Sequence, residues 1–253
     1  MLRDWAMALF LSVAVWTTGV YAADPLHIGF GSHKPPYIFE NERRGLEYEL
    51  VAAAAKAAGF ELVPYYAPIS RLHLKFRHQD LEALAMMNRH AGVEGYLSDV
   101  YIHYNNMAVA LAKRDLPIRR IADLAPYSVS TFQEASHLLG PEFEKMTRLN
   151  PHYREEARQI NRNRLLYSGR IDVVVGDPLI IDYFNQDIRT QVDIRQPLRW
   201  YKIFPPTPYQ VMFRQAQQRD RFNRGLAAIR ADGSYAQIEG YCRNSLKNLT
   251  PQP

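Results

Sequence analysis

Asp177 follows the run Gly169-Arg170-Ile171-Asp172-Val173-Val174-Val175-Gly176, so a carboxylate stands just past a short β-branched stretch that ends on glycine. Two chemistries fit that position. The carboxyl edge of an open α/β sheet is where ligands bind, and a carboxylate there can pair with a ligand ammonium. It can also cap a helix, because Pro178 is favoured in a first helical turn. Tyr37 ends the stretch Gly31-Ser32-His33-Lys34-Pro35-Pro36-Tyr37, whose two prolines are expected to hold an extended path and aim the ring outward as a stacking wall. The chain has eight histidines, none in a His-x-x-x-His or His-Glu-x-x-His pair, and most are read as surface or capping residues. No metal site and no cofactor are expected. No Gly-x-Ser-x-Gly elbow or phosphate-cradling glycine loop is present, and the single cysteine, Cys242, allows no intramolecular disulfide.

These residues need elements to position them. Ile171–Val175, apolar and bounded by glycines, reads as a strand buried on both faces, the kind found in parallel sheets covered by helices. Leu26–Phe30 reads as a first strand. Leu46, Leu50, Val51, Ala54, Ala57 and Ala58 then recur at helical spacing, with Gly59 as the stop. Leu62–Tyr66 is extended, Ser70 is a candidate N-cap for the helix that follows, and Leu81–Met87 is another strand. This β-α-β-α-β unit argues for a parallel sheet. A second series follows: a strand at Tyr127–Thr131, a helix from about Ala135 to Leu139 ended by Gly140-Pro141, a helix at Arg158–Tyr167, and then the strand before Asp177. Two similar lobes follow, each with a sheet whose carboxyl edge faces a common cleft. Asn106–Leu111 and Tyr209–Phe213 serve as crossing segments, and two crossings make a hinge. The tail, Asp220–Tyr241, forms two helices broken at Asp232-Gly233 and packs back on the first lobe.

With 253 residues, 47% of them apolar and 12% aromatic, the chain can bury one large core or two smaller ones. Met1-Leu2-Arg3-Asp4, an apolar run from Trp5 to Val20 and Val20-Tyr21-Ala22 read as a secretory signal peptide cleaved after Ala22. The mature protein is therefore expected to be exported. Its net charge of +5 is scattered among acids and is not gathered in basic blocks interleaved with aromatics, which argues against nucleic-acid binding.

Several motifs in order give the chain a resemblance. Lys34-Pro35-Pro36-Tyr37, Gly45-Leu46-Glu47-Tyr48-Glu49-Leu50, Gly95 to Tyr101, Ile121-Ala122-Asp123-Leu124, Thr131-Phe132-Gln133, Gly169 to Asp177 and Ala231-Asp232-Gly233-Ser234-Tyr235 resemble the polar amino-acid family of bacterial periplasmic solute-binding proteins, family three. The resemblance implies a two-lobed α/β fold of the type II periplasmic-binding-protein kind, each lobe a mostly parallel sheet flanked by helices, joined by a two-segment hinge. Residues 1–22 would be the signal peptide, 23–108 with 210–253 the first lobe, and 109–209 the second. It further implies a periplasmic, monomeric protein that binds a small polar solute, an amino acid or related amine, and hands it to an ABC transporter permease.

The family's site maps unevenly. Asp177 falls where the second lobe places the carboxylate for the ligand ammonium, and Tyr37 where an aromatic wall is usual. Ser136 starts the second-lobe helix whose hydroxyl and N–H groups can hold a ligand carboxylate. Relatives commonly carry a Thr-x-x-Arg turn for that carboxylate. Here the stretch is Met87-Asn88-Arg89-His90-Ala91-Gly92-Val93, which leaves Arg89, or Arg71 in the Pro68-x-x-Arg71 turn, as the guanidinium. Glu134 stands where relatives often have glycine, bringing an anion to the helix entry. The alternatives are a periplasmic cyclohexadienyl-dehydratase-like enzyme on the same fold, with Glu134 or His137 as general acid, and a ligand-sensing module. The reading adopted is capture without chemical change, and so no enzyme.

Overall fold

The computed structural model describes residues 23–247, with side chains to Cys242; the proposed signal peptide lies outside them. In chain order the elements are β1 (Asp24–Phe30), α1 (Leu46–Ala57), β2 (Phe60–Tyr66), α2 (Ile69–Arg77), β3 (Ala83–Met87), β4 (Tyr96–Leu97), β5 (Ile102–Tyr104), β6 (Met107–Leu111), β7 (Val129–Phe132), α3 (Ala135–Leu138), α4 (Pro141–Leu149), β8 (Tyr153–Glu156), α5 (Gln159–Tyr167), β9 (Val173–Gly176), α6 (Pro178–Ile188), β10 (Leu198–Tyr201), β11 (Thr207–Phe213), α7 (Ala216–Ala231) and α8 (Ser234–Lys247). They build two sheets. The first runs β2-β1-β3-β11-β4, with β5 on β11; the second runs β10-β6-β9-β7-β8. Pairing is parallel among β1, β2 and β3 and among β7, β8 and β9. It is antiparallel where β11 meets β3 and where β6 meets β9. The chain passes to the second sheet between β5 and β6 and returns between β10 and β11.

The valine run behaves as its composition requires. Val173 and Val175 face one core with Val129 and Phe143, while Val174 faces another with Leu166 and Ile181. Each such side chain, fully buried, contributes about 1.5–3 kcal/mol. A strand apolar on both faces can sit only between two helical layers. In the first lobe Leu50, Val51 and Ala54 of α1 pack on Leu26 and Ile28 of β1, and Phe222 and Leu226 of α7 close the same core.

The tail does return to the first lobe, and it does so at a glycine. A Cβ on Gly225 would collide with the Ala54 carbonyl oxygen and lie 2.8 Å from the Ala58 nitrogen. Backbone cannot rotate away as a side chain can, so Gly225→Ala must push α7 off α1. Overpacking of this kind costs roughly 1–3 kcal/mol or more. Urea unfolding should show that loss; an unchanged midpoint would mean that α7 does not sit this close to α1.

Three local readings are corrected. Ser70 is not an N-cap: α2 begins at Ile69 after Pro68, with no side-chain cap. Gly140-Pro141 ends one helix but also starts α4, with Gly140 at its N-cap and Pro141 at the position where a missing N–H costs nothing. The Lys34–Tyr37 loop is not extended. The Tyr37 and Ile38 N–H groups both donate to the Lys34 carbonyl, so the chain turns back and carries Tyr37 inward.

Candidate functional site

The carboxyl ends of the parallel strands point at one another across a cleft between the sheets. Gly31 and Ser32 follow β1, Met86 stands near the end of β3, Gln133 follows β7, Glu156 ends β8 and Asp177 follows β9, and all of them line it. Asn106, in the first crossing, and Tyr209 complete the lining with Tyr104, Phe132 and Ile180. The runs expected to cross, Asn106–Leu111 and Tyr209–Phe213, instead form β6 of the second sheet and most of β11 of the first, and the crossings are residues 105–106 and 202–206. The free space is about 550 Å³, part of it open to solvent. The lobes touch around this cleft. Gln133 Oε1 accepts from the Ile69 N–H at 3.0 Å, Gln133 Nε2 donates to Ser70 Oγ at 3.2 Å, and Asn88 Nδ2 donates to the Leu138 carbonyl at 3.0 Å.

Asp177 takes the capping role that its sequence position allowed, and it borders the cleft. Its Oδ1 accepts from the Leu179 N–H at 3.0 Å, capping α6, and its Oδ2 accepts from the Asn105 N–H at 3.0 Å, tying the cap to the crossing segment. The Tyr37 hydroxyl also hydrogen-bonds this carboxylate. The residue is 2% exposed, and burial raises its pKa above the ordinary carboxylate range against these three stabilising contacts. Among the described residues, no cation forms a salt bridge with it. A buried carboxylate that borders a cleft in this way is poised for a cation.

Lys34 is 3% exposed and lines the same cleft, but its charge is already paired. Its Nζ bonds Glu47 Oε2 at 2.6 Å and lies 5.0 Å from the centre of the Tyr104 ring. Glu47, wholly buried in the first turn of α1, also accepts from the hydroxyls of Tyr101 at 3.0 Å and Tyr104. Burial lowers the Lys34 pKa, opposed by Glu47 and Asp177; burial pushes both tyrosines well above their usual value.

The other expected site residues are dispersed. Tyr37 is 4% exposed and stacks on Tyr104 at 4.1 Å between ring centres, so it is a buried prop and not the outward wall that its prolines suggested. It borders, with Asp177, a second cavity beside the first. Arg71 is exposed on α2 and does not line the cleft. Arg89 is exposed, donates to His90 Nε2 at 3.2 Å and borders a different groove, with Pro205 and Pro206. Ser136 does stand at the start of α3, yet the carboxylate on its N–H is the chain's own: Glu155 Oε1 at 2.9 Å, while Glu155 Oε2 takes the Glu134 N–H at 2.7 Å. Glu134 adopts φ 65°, in the left-handed region, where glycine is the least strained residue. Neither Glu134 nor His137 lines the cleft; His137 is exposed and faces Glu144 at 3.6 Å. Among the described residues no group of three histidine, cysteine or carboxylate side chains could hold a metal.

Sequence reading missed Lys34, Tyr104, Tyr209 and Glu156, which line the cleft, and Glu47 and Glu155, which hold Lys34 and the α3 entry from behind it. One signal was available: Glu47 lies on the buried stripe of α1 beside Leu46 and Leu50, where a carboxylate needs a partner.

Two lobes of mixed sheet flanked by helices, crossed twice by the chain and open to a cleft at their strand ends, define the type II periplasmic-binding-protein fold. No protein-family profile matches the chain. It is 25% identical over 245 residues to the ABC transporter arginine-binding protein 1 of Escherichia coli, covering 92% of this chain and 96% of that one. In structure it is similar to an ancestral arginine-binding protein bound to arginine, with a TM-score of 0.71, 18% identity, and coverage of 87% of this chain and 99% of the other. A histidine kinase sensor domain with similarity to periplasmic binding proteins matches with a TM-score of 0.71 and 19% identity, over 87% of this chain and 96% of that one. The resemblance to the polar amino-acid solute-binding proteins thus holds in sequence over nearly the whole chain, and in fold. Among the described residues no helix is long and apolar enough to cross a membrane.

Proposed function

We propose that this chain is an exported, periplasmic solute-binding protein that captures a small polar solute bearing a cationic nitrogen, an amino acid or related amine, between its lobes and releases it to an ABC transporter permease. One observation carries the reading: Asp177, buried at the carboxyl end of β9, borders an aromatic-walled cleft and forms no ion pair among the described residues. The aromatic residues Tyr104, Phe132 and Tyr209 of the lining add to it, since aromatic rings attract cations by about 0.5–2 kcal/mol. The arginine-binding relative supports the solute class and the transporter. Capture without chemical change is supported by the arginine-binding relative and by the positions of the two acids considered for a dehydratase, Glu134 and His137, which do not line the cleft. The two lobes move as bodies about the two crossings, which lie a few residues before the expected boundaries at 108/109 and 209/210, and the protein works as a monomer.

A thermal-shift screen of the mature protein against amino acids, amines and small carboxylates tests this reading. A ligand bound only by the folded state at a hundred times its Kd adds about 2.7 kcal/mol of stability. Amine-bearing solutes should raise the melting temperature and simple carboxylates should not. No shift with any amine at millimolar concentration would contradict the proposal.

A further inference from the structure

We propose that the solute is an organic cation without a carboxylate, an amine or alkylguanidine and not an α-amino acid; this rests on the capture of a cationic solute at Asp177. An α-amino acid needs two receptors, an anion for its ammonium and a cation or a set of N–H donors for its carboxylate. The first is present and the second is not.

The N–H donors at the entry to α3 already hold a carboxylate. Glu155 takes the Glu134 and Ser136 N–H groups at 2.7 and 2.9 Å, and the Tyr153 hydroxyl fixes it at 2.7 Å. A second carboxylate brought to the same donors would meet this one without a counter-charge, with Glu134 beside it. Among the described residues no arginine lines the cleft, and its one lysine, Lys34, is paired to Glu47 at 2.6 Å. The buried guanidinium of Arg162 on α5 lies behind the lining, where its charge interacts with Glu156. It donates to the Val175 carbonyl at 2.7 Å and to Gln159 Oε1, and it does not line the cleft.

Charge points the same way. Lys34 is ion-paired to Glu47, with a weaker attraction to Asp177, and Glu156 is met by Arg154 at 3.3 Å and by the charge of Arg162. Asp177 is then the carboxylate of the cleft lining without an ion-pair partner among the described residues. A solute that brings positive charge and no negative charge satisfies it; a zwitterion leaves its carboxylate buried beside Glu156 and unpaired.

Titration calorimetry on the native mature protein with matched pairs tests this: L-arginine against agmatine, L-histidine against histamine, and L-tyrosine against tyramine. Each pair differs by the carboxylate alone. In at least one pair the decarboxylated member should bind more tightly by about a hundredfold or more, the penalty for burying an unpaired carboxylate. An amino acid that binds as tightly as its amine, or more tightly, would overturn the inference and leave solute capture standing. If no member of any pair binds, both the inference and the capture of a cationic solute fall.

Discussion

Replacing Asp177 by alanine is expected to weaken solute binding by a hundredfold or more. The carboxylate borders the cleft and is 2% exposed, so a bound cation would exchange water for this one charged partner. Breaking a buried pair by removing one side costs about 3–5 kcal/mol, because the remaining charge keeps its desolvation penalty. The same change removes a helix cap and leaves the Leu179 and Asn105 N–H groups without their acceptor, so unfolding stability should fall by roughly 0.5–2 kcal/mol as well. Titration calorimetry beside a urea melt separates the two effects. A melt that shifts while affinity holds would reduce Asp177 to a cap. A pH profile adds a sign. Only the ionised carboxylate attracts the cation, and burial raises the Asp177 pKa. Affinity should therefore decline as pH falls through that raised value, above the ordinary aspartate midpoint of about 3.9, by up to about tenfold per pH unit.

Glu47→Ala is expected to produce the largest loss of stability outside the hydrophobic core, about 3–5 kcal/mol. It would leave the Lys34 ammonium buried without its ion-pair partner, beside a thioether and an aromatic ring, with only the more distant charge of Asp177 to offset it. It would also strip the acceptor from the hydroxyls of Tyr101 and Tyr104, each worth about 1 kcal/mol when left unsatisfied. The double replacement Lys34→Met with Glu47→Leu should recover the ionic part and not the tyrosine part. It should therefore fall between the single variant and the native chain. Urea unfolding of the three proteins checks the ordering. A single-variant loss under about 1 kcal/mol would mean that water reaches Lys34 and that the pair is not the keystone of this wall.

What could be read from sequence follows from how local each signal is. The valine run, its flanking glycines and Asp177 occupy nine consecutive residues, and both the buried strand and the cap are there. The stop at Gly59 and the break before Gly233 are equally local: both glycines have positive φ, 75° and 84°. The Lys34–Glu47 pair was hidden because it joins a loop to a helix 13 positions away. Strand β8 was hidden for another reason. Its sequence, Tyr-Arg-Glu-Glu, has no apolar alternation, since it is an edge strand held by backbone pairing to β7. Without β8, nothing in the sequence could show that Glu155 reaches the start of α3. Tyr37 was misread because prolines were taken to extend a loop that in fact closes on the Lys34 carbonyl.

Capture between lobes also requires motion, and the structure shows the lobes together: Gln133 bridges to Ile69 and Ser70, and Leu138 and Ile180 of the second lobe pack in the first lobe's core. Solute entry is expected to open the cleft further about the two crossings, near residues 105–106 and 202–206. Small-angle scattering on protein stripped of solute by unfolding and refolding, then saturated with an amine shown by calorimetry to bind, tests this most directly. The stripped protein should have the larger radius of gyration, and the saturated protein should match the closed structure. Identical profiles, with binding proven in the same sample, would contradict capture by closure.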